Sequence, residues 1–149
     1  MLITGGLILG GGLQQVVAQR RASADLHATK TASSPTLSTQ ARRGQKQYAS
    51  NCAMCHAQDL TGLDPAPALT GERFMRKWQG KSMWELFDKI RKTMPQNDRG
   101  SLSLHAYLDI MAYLAKFNNV DLGPQELRDP KPLKGVTIGK QDTKPSGKT

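Results

Sequence analysis

Both cysteines of this 149-residue chain fall in one short run, Cys52-Ala-Met-Cys55-His56. Two thiols three positions apart, with an imidazole directly behind them, are compatible with only a few chemistries. Two cysteines cannot build a disulfide framework, nor a four-cysteine zinc or iron–sulfur centre. A thioredoxin-like dithiol needs a strand before the motif within an α/β pattern, and no such pattern precedes Cys52. A mixed zinc site could draw on Cys52, Cys55, His56 and His105, but adjacent Cys and His ligands meet one tetrahedral ion awkwardly. A single local disulfide would leave His56 without a role. The chemistry that uses all three residues is attachment of a c-type haem. Each thiol adds to one vinyl group of the porphyrin, and two intervening residues let both sulfurs reach adjacent edges of one flat macrocycle. The histidine that follows is then placed under the iron.

The iron of such a group has a second axial position. Methionine or histidine there makes an electron carrier, whereas an open position permits ligand binding or catalysis, as in a haem enzyme or gas sensor. The chain has six methionines. Met1 lies at the leading segment, Met54 sits inside the attachment loop, and Met83 and Met111 fall on apolar helix faces. Met75 lies on a short helical stretch and stays open to the role. Met94 follows a helix, precedes Pro95, and is expected on an extended turn, because a residue before proline is pushed away from helical geometry. A sulfur there can point at iron without disturbing a helix, so Met94 is the expected second ligand. His27 and His105 read as solvated or capping histidines.

Three helical segments must position these groups. The first runs from about Gln40 to Ser50 with Ser38 or Thr39 as N-cap. Its face carries Ala41, Gly44 and Tyr48; Gly44 is unfavourable inside a helix unless another backbone approaches closely. The second opens with the capping box Ser82-Met-Trp-Glu85, presents Met83, Phe87 and Ile90, and ends near Lys92, ahead of Pro95. The third starts near Ser103, and Leu104, Tyr107, Leu108, Met111, Leu114 and Phe117 give it strong helical periodicity. Asn118-Asn119 closes it. A shorter helix is expected around Arg73 to Gln79, and a long loop from Gln58 to Thr70. No strand-like alternation is present, so the fold class is all-α.

Composition limits what else the chain can be. It has eight aromatic residues, so the protein-only core is small, and small cores usually need a staple or a cofactor. The net charge of +9 is spread along the chain. It favours encounter with acidic partners and anionic surfaces. No basic helix or aromatic–basic platform argues for nucleic acid. The organisation expected is a signal peptide over residues 1–18, a flexible linker over 19–37, the domain over 38–120, and a basic, Pro-containing, disordered tail over 121–149. The first 18 residues carry no charge and end in Val16-Val17-Ala18, the small-residue pattern of an export cleavage site. They are too short and glycine-rich for a stable transmembrane helix.

The segments "GQKQYASNCAMCH", "PALTG", "IRKTMP" and "YLDIMAYLAKF" make residues 38–119 resemble class I cytochrome c. The resemblance implies three main helices and loops wrapped around one covalently attached haem c. It implies that Cys52 and Cys55 bind the haem and that His56 and Met94 ligate its iron. Pro67, with Pro65 as the alternative, would hold the other nitrogen of the histidine through its carbonyl. It implies a tight crossing of the first and last helices at Gly44, Tyr48 and Tyr113. Many members read glycine where this chain has Ala57. The "TMPQN…GSLS…YLDIMAYL" stretch looks like small bacterial cytochromes associated with quinoprotein dehydrogenases. The function implied is one-electron transfer between periplasmic redox partners, among them a quinoprotein dehydrogenase or terminal oxidase. A haem-carrying subunit fixed in a dehydrogenase or oxidase complex is the alternative. The expected protein is a monomeric, exported carrier, free or membrane-associated, that makes and breaks no substrate bond. Leu60, Leu69, Phe74, Trp78, Phe87 and Ile90 are the expected pocket candidates, and Lys46, Arg73, Arg76, Lys77, Lys81 and Lys92 would steer the partner.

Overall fold

A computed structural model describes residues 36–139. The expected signal peptide, most of the expected linker, Met1, His27 and the end of the expected tail lie outside them. Five helices follow in order: α1 (Leu37–Asn51), α2 (Ala53–His56), α3 (Gly71–Trp78), α4 (Met83–Thr93) and α5 (Leu104–Phe117), then a 3-10 turn at Lys131–Gly135. Among the described residues there is no strand, only isolated bridges at Thr36–Gln125 and Ser82–Thr137.

Local chemistry sets the helix limits. α1 begins three residues earlier than its sequence suggests, because Thr36, and neither Ser38 nor Thr39, is the cap and accepts from Thr39 N at 3.3 Å. Thr36 and Leu37 therefore belong to the domain rather than to the linker. α4 carries the full capping box: Glu85 N donates to Ser82 Oγ and Ser82 N to Glu85 Oε2. Those donors hold the Glu85 carboxyl below its usual range. Ser103 Oγ caps α5 by accepting from Ala106 N at 3.2 Å. Asn119, at φ 53, turns the chain away after α5.

α1 and α5 form the principal helix pair. A Cβ on Gly44 would lie 1.8 Å from Asp109 O and 2.9 Å from Tyr113 Cβ, so only glycine permits this crossing. The Tyr48 and Tyr113 rings pack beside it with centroids 5.4 Å apart. From Ala106 to Ala115 every residue of α5 is buried, which is how a helix apolar all round must sit. It serves two hydrophobic clusters. One joins it to α3 and α4, the other to α1, α2 and Leu60 of the following loop. Leu104 and Phe117, at its ends, are exposed and extend the periodicity without extending the core.

The C-terminal segment corrects the expectation of a disordered tail. Residues 121–139 bury Leu127, Leu133 and Ile138 against α3, α4 and α5. Their backbone is paired with other elements: Leu37 N with Pro124 O, Met83 N with Val136 O, Gly80 N with Ile138 O, and Ile138 N with Lys81 O. The Gln40 side chain, fully buried, donates to Leu127 O and accepts from Leu127 N. Arg43 makes a bidentate contact with Asp109 on α5 and a second ion pair with Glu126. The hydrogen-bonded Asp109 carboxylate, foremost, raises the Arg43 guanidinium above its ordinary value. A segment that bonds to its neighbours rather than to itself needs no internal period, which is why the sequence shows none.

Candidate haem site

The attachment motif lies where α1 gives way to α2. Cys52 caps α1, its N–H donating to Tyr48 O at 2.8 Å, and α2 then carries Cys55 and His56 on a single turn. Cys52 is half-buried and Cys55 exposed. Burial, chiefly, and the neighbouring Cys55 push the Cys52 thiol up to about 11. His56 is buried at 7% exposure. Its Nδ1 lies 2.8 Å from Pro67 O, which leaves Nε2 as the nitrogen available to a metal. Of the two prolines considered, Pro67 is the one that meets the ring.

Tyr48 adds a restraint that the sequence does not reveal. Its hydroxyl reaches His56 O at 3.1 Å and Ala57 O at 2.7 Å, tying α1 to the backbone just beyond the motif. Burial raises the phenol above its ordinary value. A buried tyrosine hydroxyl nearly always finds a partner, and that rule is the available signal for the contact.

Met94 stands where the end of α4 predicts it. It is extended, at φ −128 and ψ 151, and caps the helix. Its N–H donates to Ile90 O at 2.8 Å, while its carbonyl accepts from Gly100 N at 3.3 Å and from Tyr107 Oη at 2.8 Å. Tyr107 read from sequence as one more apolar face residue; its ring is buried and its hydroxyl fixes Met94.

Cys52, Cys55, His56, Pro67 and Met94 all line one cavity of about 1190 Å³. That exceeds the roughly 300–1,000 Å³ of ordinary small-molecule pockets. Leu69, Phe74, Trp78 and Ile90 line it too, whereas Leu60 and Phe87 do not and are ordinary core. The other methionines fall away: Met83 and Met111 are fully buried in the core, Met75 packs against the first cluster, and Met54 is 84% exposed. His105 is exposed at the start of α5, and no group of three or more His, Cys, Asp or Glu side chains gathers as a metal site among the described residues. The residues fit a haem: a large apolar-walled cavity, two thiols at its edge, an imidazole with one nitrogen already engaged, and a thioether on a pinned backbone.

Of the cations expected to steer a partner, Arg73 and Lys77 line the cavity, joined by Lys89. Arg76 pairs with Glu72 and Lys92 with Asp88. Lys81 lies over the Trp78 ring. Lys46 is exposed on α1 and does not line the cavity.

Residues 39–114 match the family described as "Cytochrome C oxidase, cbb3-type, subunit III". The chain belongs to that family. It is a small c-type cytochrome, and its domain implies covalently bound haem c and haem-based electron transfer. Its fold is similar to that in the crystal structure of the sulfane dehydrogenase SoxCD from Paracoccus pantotrophus. The identity is 20% and the TM-score 0.54, over 90% of this chain and 68% of that one. At that identity the likeness speaks to fold alone, and the all-α cytochrome fold is what it supports. No curated protein matches the chain. No described helix is long and apolar enough to cross a membrane.

Proposed function

We propose that this cytochrome carries one haem c and passes single electrons between redox proteins outside the cytoplasm. The observation that carries the reading is the convergence of Cys52, Cys55, His56 and Met94 on one cavity, with His56 Nδ1 held 2.8 Å from Pro67 O. Bound there, haem supplies an iron centre that cycles between ferrous and ferric states. The chain's own residues do the rest. Cys52 and Cys55 anchor the group, His56 and Met94 hold the iron, and Pro67 fixes the tautomer and direction of the imidazole. A thioether ligand and an apolar pocket both favour the ferrous state. Tyr107 and Gly100 hold Met94 in place, so little rearranges with each electron. A single attachment motif in the sequence supports one haem per chain, and the uncharged start of the chain supports export.

Met54 and Leu63 are exposed beside the cavity, with Arg73, Lys77 and Lys89 among its lining. This favours an acidic redox partner, such as a quinoprotein dehydrogenase or terminal oxidase. The family description, which names an oxidase subunit, favours a second reading as a subunit fixed in a complex. Co-purification from native membranes and periplasm distinguishes the two.

The test is the optical spectrum of exported, matured protein, oxidised and reduced. Wild type should show the thioether–ferric charge-transfer band and resist carbon monoxide when reduced. Met94→Ala should lose the band and bind carbon monoxide rapidly. A band unchanged in Met94→Ala would assign the second ligand elsewhere.

A further inference from the structure

Asn118 follows α5 as its C-cap and is buried at 7% exposure. Its backbone N–H already serves Leu114 O at 3.0 Å, and Nδ2 donates to that same carbonyl at 2.9 Å. The distant partner of the side chain is Leu69 O, 3.0 Å from Nδ2 and 49 residues away in sequence. Oδ1 has no hydrogen-bond partner among the described residues. Reversing the amide would set its oxygen against two carbonyl oxygens, so the assignment of donor and acceptor is forced.

Leu69 stands two residues beyond Pro67. Its N–H donates to Leu60 O at 2.8 Å, and the Pro67 carbonyl meets His56 Nδ1 at 2.8 Å. The loop end that orients the imidazole is thus clipped to the end of α5 by one amide. We infer that Asn118 is a positioning residue for His56: by holding Leu69 O it sets how Pro67 O meets Nδ1. A carbonyl accepting from the far nitrogen makes a ligating imidazole a stronger donor. Loosening the clip weakens that bond and shifts the iron toward the ferrous state. The inference rests on His56 being an axial ligand, which the wild-type spectrum tests first and separately.

The experiment uses the haem-loaded protein. Asn118→Leu removes both donations at similar volume. Asn118→Ser keeps a hydroxyl that can bond back to the carbonyl four residues earlier but is too short for Leu69, and it guards against a Leu variant that fails to fold. Leu133→Ala, in the C-terminal segment, serves as a destabilised control. In the reduced Asn118 variants the His56 Nδ1 proton should exchange with solvent at least tenfold faster than in wild type. At a fixed solution potential their ferric-to-ferrous ratio should fall at least twofold. Leu133→Ala should do neither beyond its loss of stability. Unchanged exchange, an unchanged or risen ratio, or equal effects in the control would confine Asn118 to holding the fold.

Discussion

Ala57 carries its backbone at φ 61 and ψ 159, a region nearly reserved to glycine, where another residue stores on the order of 1–3 kcal/mol of strain. The conformation is imposed. The Ala57 carbonyl accepts from Tyr48 Oη and from Leu60 N, and Gly62 N reaches back to His56 O, so the chain must turn sharply behind the ligand. Glycine should relieve the strain, offset in part by the greater freedom it gives the unfolded chain. Ala57→Gly is expected to gain about 1 kcal/mol, a rise of roughly 4–8 °C in the melting midpoint for a domain of about 100 residues, measured by calorimetry on haem-loaded protein. A lower midpoint would show that the turn is not strained as its dihedrals imply. The residues that share the cavity could be singled out in the sequence because covalent attachment and metal ligation would demand fixed types at fixed spacing. The Tyr48 and Tyr107 hydroxyls could not, since they act on backbone carbonyls, which any residue supplies.

Helices were legible to within a turn where caps are written in side chains, as at Ser82-Met-Trp-Glu85 and Ser103. The start of α1 was missed because Thr36, Ser38 and Thr39 are chemically alike as caps, and only the fold selects among them. The most informative single position at this scale is Gly44. A methyl group there would sit 1.8 Å from Asp109 O and 2.5 Å from Asp109 C. Both are backbone atoms, so no rotamer change can make room and the α1–α5 pair would have to part. Overpacking typically costs about 1–3 kcal/mol and more where nothing can move. Gly44→Ala should therefore lose roughly 3 kcal/mol or more by denaturant titration. Gly135, in the 3-10 turn, has nothing within 4 Å of a built Cβ and no positive φ. Gly135→Ala should stay within about 1 kcal/mol of wild type. Equal losses at the two glycines would remove the close crossing as the reason for Gly44.

For the whole molecule, the all-α class and the helical walls of the candidate cavity follow from patterns within each helix, while the loops at 61–69 and 95–101 complete its lining. The closure by residues 121–139 does not follow from such patterns, because its anchors, Leu127, Leu133 and Ile138, are spaced by where they must dock and not by any period of their own. Those anchors are 5%, 0% and 0% exposed. Burying each contributes about 1.5–3 kcal/mol, an upper figure given residual structure in the unfolded chain. Together they approach the roughly 5–15 kcal/mol that separates an entire domain from its unfolded state. Ending the chain at Val120 would also strand the Gln40 side chain and remove Glu126 from Arg43, two buried or half-buried polar losses that add to the apolar one. The 1–120 protein should therefore lack a cooperative thermal transition even with haem attached, whereas the full-length protein should show one. Circular dichroism on matured protein reads both. A 1–120 chain with the full-length midpoint would return this segment to the role of a dispensable tail.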